Sequence, residues 1–254
     1  MRIKRLSQIA GEFDAMLIDQ FGVIHDGAKL YPGSAEVLAE LHAANIKVVV
    51  MTNSGKRSAA NRDRLAAMGV PRQHFVDAVS SGEVAWQSLK VKHAFLIGRR
   101  GEDYGFDGTT FVADPADAEV ILILGSNAPA TSLDDYRKLF AGLALPAICC
   151  NPDRLMLTAH GLLPAPGAIA ALYEEMGGKV IWIGKPYPEI YATAAALIGN
   201  PKRILCVGDS AEHDVAGGRN AGFATLLVLT GVSAGTDPTT IDPQPDYLIE
   251  SFVW

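Results

Sequence analysis

Residues 15–23 read Ala15-Met16-Leu17-Ile18-Asp19-Gln20-Phe21-Gly22-Val23, an apolar run that ends at an aspartate. A second apolar run, Ile204-Leu205-Cys206-Val207-Gly208, ends at Asp209 in the same way. Fully apolar runs of this length are typical of central strands in parallel sheets. Open α/β sheets bind ligands at the carboxyl ends of their strands, so Asp19 and Asp209 predict a metal and phosphate site there.

The rest of the chain alternates between short apolar runs and stretches of helical period. Further apolar runs occupy 46–51, 94–97, 120–124, 146–150, 180–183 and 224–229. Helical spacing fills 34–45, 58–68, 82–89, 131–143, 166–176, 188–198 and 212–221. This alternation predicts an α/β fold of the doubly wound, Rossmann-like type, in which helices cover both faces of parallel sheets.

Composition and charge exclude several classes of protein. The chain has 254 residues, of which 49% are hydrophobic and 20% are charged, which predicts a folded protein with a sizeable core. A net charge of -6 provides no broad basic field, so we expect no nucleic-acid partner. The odd number of cysteines, 3, and the lack of CxxC spacing predict reduced thiols, a cytoplasmic location and no zinc site. No apolar span approaches the roughly 18 residues of a membrane helix, so we expect no membrane association.

Four further features favour phosphate or metal chemistry. Gly22 allows a tight turn that brings main-chain N–H groups toward an anion. Thr52-Asn53-Ser54 follows an apolar run and either binds phosphate oxygens or caps the next helix. Lys185, in Gly184-Lys185-Pro186, is rigidly held and can neutralise phosphate charge. Asp214 follows shortly after Asp209 and adds a carboxylate that suits a hard cation such as Mg²⁺.

Taken in order, these motifs resemble the haloacid dehalogenase superfamily of Asp-nucleophile phosphotransferases. The gap from Asp19 to Thr52 is short, and the gap from Thr52 to Lys185 has room for an inserted domain. That pattern is similar to the class IIA branch of sugar, nucleotide and nitrophenyl phosphatases. The resemblance implies a catalytic core of residues 1–81 and 180–254, with an α/β cap domain inserted at 82–179. It also leaves a homodimer open, since caps of this class often mediate dimers.

The same resemblance implies a role for each motif residue. Asp19 would attack phosphorus to form an aspartyl-phosphate, while Thr52 and Lys185 hold the phosphoryl oxygens of a small phosphorylated metabolite. The cofactor would be Mg²⁺, with Asp19, the Phe21 backbone carbonyl, Asp209 and Asp214 as its expected ligands. The other expected phosphate-binding or substrate-binding positions are Gly22, Asn53, Asn151, Asp153 and Arg154.

Phe21 departs from the family pattern, which places a second aspartate there as general acid and base. Losing such a group slows catalysis by roughly 10²- to 10⁴-fold. Three interpretations stay open: a phosphatase that is slow or restricted to leaving groups needing no proton, a phospho-ligand-binding protein without turnover, and a dehalogenase-like hydrolase. His25 is the nearest alternative proton donor, although a turn residue in a surface loop is the plainer interpretation.

The cap is expected to supply substrate specificity through a loop at 151–160. This loop contains Arg154, Met156, Leu157 and His160, each of which also has an ordinary structural interpretation.

A G-x-S-x-G pattern at 231–235 follows an apolar run but is not followed by the acid and histidine of a serine hydrolase. We therefore assign it no catalytic role.

Overall fold

The computed structural model describes residues 1–158 and 161–254, which form two compact units. The core unit contains 1–52, 58–79 and 185–254, and the inserted unit contains 53–57 and 80–184. In the part of the chain that is described, no helix combines the length and apolar character needed to cross a membrane.

The strands and helices alternate along most of the chain. The described strands are β1 (Ala15–Asp19), β2 (Lys47–Thr52), β3 (Asp77–Ser80), β4 (His93–Ile97), β5 (Thr110–Val112), β6 (Val120–Ile123), β7 (Ala147–Cys149), β8 (Leu155–Thr158), β9 (Gly161–Pro164), β10 (Val180–Trp182), β11 (Ile204–Gly208), β12 (Ala224–Val228) and β13 (Tyr247–Ile249). The described α-helices are α1 (Ser34–Ala43), α2 (Ser58–Ala67), α3 (Ser81–Ser88), α4 (Leu133–Phe140), α5 (Pro166–Glu175), α6 (Pro188–Leu197) and α7 (Ala216–Asn220).

The core unit is built on a six-stranded sheet in the order β13-β12-β11-β1-β2-β3. The strands from β13 to β2 pair in parallel, and β1 lies between β11 and β2. Every residue of β1 is buried: neighbouring strands flank both of its edges, and Met16 and Ile18 pack in the hydrophobic core of the unit. The predicted α/β fold with parallel sheets is therefore confirmed.

The inserted unit has its own parallel sheet, in the order β10-β7-β6-β4-β5, and a separate antiparallel hairpin of β8 and β9. Its core packs Ile121 and Ile123 of β6 against aromatic and aliphatic side chains of α4 and α5, including Phe140 and Ile169. A sheet of this size with helices packed on it can bury a hydrophobic core of its own.

The boundaries of the two units differ from the predicted boundaries at 81 and 180. Strand β10 pairs in parallel with β7, with Ile181 opposite Ile148, so 180–182 lies in the inserted sheet rather than in the core. Residues 53–57 likewise belong to the inserted unit. A short apolar run predicts a strand but does not show which sheet the strand joins, which is why the boundary at 180 was wrong.

The expected substrate loop at 151–160 is only partly a loop. Residues 155–158 form β8, which pairs with β9, so Met156 lies opposite Leu163 in a hairpin. His160 lies outside the described residues. Strands β3, β5, β9 and β13 were also not predicted, because such runs of three or four residues give too little periodicity to detect.

Candidate active site

The two strand-end aspartates meet at one edge of the core sheet. Strands β1 and β11 are adjacent and parallel, with Ile18 opposite Val207, so Asp19 and Asp209 leave the sheet side by side. Asp214 lies in a π-helical turn, Ala211–Val215, shortly after β11. Each of these three aspartates is buried and offers one carboxylate oxygen, and these oxygens lie within 4.8 Å of one another. The structure therefore gathers three of the four expected metal-binding residues through their side chains.

Lys185 bridges two of the carboxylates. Its Nζ lies 2.7 Å from Asp19 Oδ1 and 2.7 Å from Asp214 Oδ1, and the residue is 3% exposed. Burial alone would lower the pKa of Lys185, but the attraction of Asp19 and Asp214 outweighs burial and raises the pKa above its usual value. The ammonium is consequently a fixed positive charge in the cluster.

The two carboxylate oxygens of Asp19 differ in their hydrogen bonding. Its Oδ1 accepts hydrogen bonds from Lys185 and, at 2.7 Å, from the Gln20 backbone N–H. Its second oxygen accepts no hydrogen bond from any residue in the described ranges 1–158 and 161–254. Burial raises the pKa of Asp19 well above its usual value; Lys185 opposes this rise, and Asp214 and Asp209 add to it. One oxygen is thus held in place, and the other is available to a metal ion or a phosphorus atom.

Backbone amides orient the other two carboxylates. The Val232 N–H donates to Asp209 Oδ2 at 2.7 Å, and the Ser210 N–H donates to Asp214 Oδ2 at 3.1 Å. Three carboxylates against one ammonium leave excess negative charge, and oriented carboxylate oxygens are the donors that hard divalent cations prefer. The residues present therefore fit a magnesium-type ion.

Gly22 shapes the loop that follows Asp19. Its N–H donates to the His25 carbonyl at 2.9 Å, so this amide forms a hydrogen bond within the loop. The expected phosphate contact at Gly22 stays a prediction. Gly22 has a φ of 81°, and a Cβ there would overlap the Asp209 carboxylate. The Thr230 hydroxyl donates to the Gly22 carbonyl at 2.5 Å. Glycine is required here for its conformation and its lack of a side chain.

Val232 was missed as part of the site by sequence reasoning. It lies in the stretch 231–235, whose match to a serine-hydrolase pattern carried no catalytic role. The signal that could have identified it is Gly231, three residues after the end of β12, because a turn near a strand end brings backbone amides toward the crevice.

Thr52 lies at the same edge of the sheet as Asp19. It ends β2, one residue beyond Met51, which is opposite Asp19 in the parallel register, and it is buried. This position agrees with its expected role beside the transferring phosphoryl group. The role itself stays a prediction.

The expected substrate-binding residues of the inserted unit contact one another. The Asn53 amide donates to Asp153 Oδ1 at 2.8 Å and accepts from the Ser81 hydroxyl at 3.2 Å. Asn151 Oδ1 accepts from the Asp153 N–H at 3.0 Å. Arg154 is exposed, with its guanidinium carbon 5.6 Å from the Trp182 ring centroid. Their proposed substrate contacts stay predictions.

Phe21 and His25 pack against each other beside Asp19. The Phe21 side chain is 40% exposed, and its ring centroid lies 4.4 Å from that of His25 in an edge-to-face arrangement. His25 is fully buried, so the expectation of a surface-loop histidine is wrong. The chain folds back here because the Ile24 and His25 amides both donate to the Gln20 carbonyl.

His25 is a poor source of the missing proton. Burial and then the positive charge of Arg64 lower the pKa of His25 to about 4, while Asp26 opposes them. Its Nδ1 accepts the Gly27 N–H at 2.9 Å, which fixes the neutral tautomer with its hydrogen on Nε2. A histidine with this pKa holds no dissociable imidazolium proton at neutral pH.

Models of known protein families match two long segments of this chain. A model described as haloacid dehalogenase-like hydrolase matches residues 16–136, and a related HAD-hydrolase-like model matches residues 182–254. Together they cover more than half of the chain. The chain belongs to the haloacid dehalogenase-like hydrolases. The predicted superfamily and the predicted enzyme class, a hydrolase of this family, are confirmed.

Individual relatives can be aligned with nearly the whole length of this hydrolase. A dihydroxyacetone phosphatase of Corynebacterium glutamicum is 26% identical, over 92% of this chain and 88% of the relative. The structure of a haloacid dehalogenase-like hydrolase from Brucella suis has a TM-score of 0.86 at 26% identity, covering 99% of this chain and 100% of the other. A glycerol phosphate phosphatase of Mycobacterium tuberculosis in complex with magnesium has a TM-score of 0.73 at 26% identity, covering 94% and 75%. Such relatives indicate the class IIA branch.

Proposed function

We propose that this hydrolase is a magnesium-dependent phosphatase of small phosphorylated metabolites, with Asp19 as its nucleophile. One observation carries the proposal: Asp19 has one oxygen held by Lys185 and the Gln20 amide, and a second oxygen that accepts no hydrogen bond from a described residue. A carboxylate held in this way meets a phosphorus atom without first breaking a hydrogen bond of its reacting oxygen. The names of the phosphatase relatives support the same chemistry.

The reaction would proceed in two displacements at phosphorus. The second oxygen of Asp19 forms a bond to phosphorus as the ester bond breaks, and the leaving oxygen departs with the bonding electron pair. Water then attacks the aspartyl-phosphate, which releases inorganic phosphate and restores the Asp19 carboxylate. Lys185 and Thr52 would hold the phosphoryl oxygens through both steps. Magnesium, when bound by Asp19, Asp209, Asp214 and the Phe21 carbonyl, would supply positive charge against the phosphoryl group.

Phe21 limits which esters this site would cleave. A phenylalanine has no proton to give, and His25 is neutral, so the leaving oxygen departs as an anion. Leaving groups that are weak bases, such as phenolates and carboxylates, tolerate this departure far better than alkoxides do. We therefore propose aryl or acyl phosphates as favoured substrates, with alkyl phosphates turned over slowly.

The experiment is hydrolysis of nitrophenyl phosphate with and without Mg²⁺ by the unmodified chain and by Asp19→Asn. We expect Mg²⁺-dependent turnover in the unmodified chain and a loss of at least about 10³-fold in Asp19→Asn, because an amide is a far weaker nucleophile. Asp26→Asn is the matched control: Asp26 is exposed, and its Oδ1 accepts the Ala28 and Lys29 amides, which an asparagine oxygen also does.

A second candidate function is binding of a phosphorylated ligand without turnover. The aromatic side chain two residues after Asp19 favours it, because it removes the general acid. Calorimetry that shows tight binding of phosphorylated compounds would support this second function if no phosphate is released from any of them. The same result would reject the phosphatase.

A further inference from the structure

Arg64 is a half-buried cation without a counter-ion. It lies on α2, and its guanidinium forms no ion pair with any carboxylate in the described ranges 1–158 and 161–254. Arg62, two residues earlier on the same helix, donates instead to Asp77 at 2.8 Å. Arginines in partly buried positions usually pair with carboxylates, so the uncompensated charge of Arg64 is unusual.

The guanidinium of Arg64 lies over the Phe21 ring. Its central carbon is 5.4 Å from the ring centroid, within the range of a cation–π contact. Arg57 and Arg72 also lie over aromatic rings, but each of them also pairs with a carboxylate, Arg57 with Glu83 at 2.7 Å and Arg72 with Asp77 at 3.7 Å. The positive charge of Arg64 is therefore directed at the loop that carries Phe21, with no acid to neutralise it.

Phe21 connects this charge to the reacting centre. It is the second residue after Asp19, and its neighbour Gly22 packs directly against the Asp209 carboxylate. The Phe21 and His25 rings are edge-to-face, with centroids 4.4 Å apart, and Phe21 is 40% exposed. The exposed Phe21 ring and the unpaired Arg64 guanidinium thus lie next to each other, and the ring belongs to the second residue after Asp19.

The exposed Phe21 ring and the unpaired Arg64 guanidinium together fit one kind of leaving group. An aromatic ring in the leaving group can stack on Phe21. A carboxylate on that ring can accept paired hydrogen bonds from the planar guanidinium. A phenolate also departs without the proton that Phe21 cannot supply.

We propose that Phe21 and Arg64 form a leaving-group subsite that selects aryl phosphates bearing a carboxylate. This inference rests on the proposed phosphatase function and specifies its substrate class. Arg64 acts as the residue that determines specificity: it binds the carboxylate of the leaving group and takes no part in the transfer of phosphorus.

The test compares kcat/KM for 3-carboxyphenyl phosphate and phenyl phosphate, measured with Mg²⁺ in the unmodified chain, Arg64→Met and Arg62→Met. We expect Arg64→Met to lower the ratio of the two values about tenfold, the worth of one charge-assisted hydrogen-bonded contact in a half-buried position. Arg62→Met, which removes the same charge from the same helix, should leave the ratio unchanged. Arg64→Lys should keep part of the preference, because it retains the charge but not the planar fork.

The ratio is insensitive to partial loss of folded enzyme, because both substrates are measured on the same preparation. An unchanged ratio in Arg64→Met, or an equal fall in Arg62→Met, overturns the subsite. If neither compound is hydrolysed by the unmodified chain, the phosphatase proposal fails separately. Calorimetric dissociation constants of the same two compounds, compared between the unmodified chain and Arg64→Met, then decide the subsite by the same tenfold criterion.

Discussion

Phe21 determines how far the chemistry at Asp19 can proceed. Its ring replaces a carboxyl group at a position where the chain runs directly beside the carboxylate cluster. The ring is partly exposed, so a polar side chain can be accommodated there at the cost of the contact with His25. The position is therefore a direct way to ask whether leaving-group protonation is what the site lacks.

We predict that Phe21→Asp raises kcat/KM for an alkyl phosphate at least about tenfold more than for nitrophenyl phosphate. An alkoxide needs a proton as it leaves, whereas nitrophenolate is already a weak base. The measurement is steady-state kinetics on glycerol phosphate and nitrophenyl phosphate, with melting curves to verify folding.

Phe21→Asn is the matched control, since it has nearly the shape of aspartate but no proton of suitable acidity. Phe21→Asn should not raise kcat/KM for glycerol phosphate more than kcat/KM for nitrophenyl phosphate. Equal gains for both substrates in a well-folded Phe21→Asp would show that the proton donor is not what limits this enzyme.

The loop between β1 and α1 is the element that sets the properties of this site. The Gly22 N–H donates to the His25 carbonyl, the Ile24 and His25 amides donate to the Gln20 carbonyl, and the Gly27 N–H donates to His25 Nδ1. These bonds enclose the imidazole, and enclosure is what depresses its pKa to about 4. The folding of the loop therefore depends on a neutral His25.

We predict that this loop makes the stability of the protein fall on acidification. In the folded state His25 has a pKa of about 4, against about 6.5 when unfolded, so protons bind more tightly to the unfolded chain. The contribution is complete above about pH 6.5 and is lost as the pH falls toward 4, by up to about 3 kcal/mol. Urea unfolding at pH 7, 6, 5 and 4.5 measures it.

His25→Asn isolates the histidine from the carboxylates, which also titrate at low pH. Its side-chain oxygen can accept the Gly27 N–H as Nδ1 does, but it does not titrate. The variant should lose less stability than the unmodified chain between pH 6.5 and 4.5. Parallel pH profiles for the two proteins would contradict the prediction.

At the level of elements, the sequence predicted the strands and helices that have a clear local periodicity. The apolar runs around Asp19 and Asp209 correspond to β1 and β11, and the helical stretches correspond to α1 through α7 within a few residues. The burial of His25 was not predictable, because it results from carbonyl and amide contacts within a loop that has no periodic pattern. Arg64 was not singled out, because a lone arginine on a polar helix face has no sequence signal.

At the scale of the whole molecule, the candidate site exists because of strand order. Asp19, Thr52 and Asp209 are far apart in the chain, and they come together because β11, β1 and β2 are neighbours in one parallel sheet. The sequence predicted that Asp19 and Asp209 lie at the carboxyl ends of strands in a parallel sheet, but it did not show that their two strands are neighbours. Strand order is a property of tertiary packing, and it leaves no mark on any single run, as the assignment of β10 to the wrong sheet also shows.

The last prediction concerns the stability of the folded protein with and without metal. The cluster of Asp19, Asp209 and Asp214 forms only when the core unit is folded, and its excess negative charge is held in place at the expense of stability. An ion that binds the folded cluster and not the unfolded chain must therefore stabilise the fold. At a Mg²⁺ concentration 100-fold above the dissociation constant the gain is about 2.7 kcal/mol, or roughly 5–10 °C in Tm. We expect calorimetric scans of EDTA-treated protein to show this rise on adding MgCl₂, a much smaller rise in Asp209→Asn, and the full rise in Asp26→Asn. An equal rise in both variants would mean that Mg²⁺ stabilises the chain elsewhere, and the cluster would then owe its charge balance to Lys185 alone.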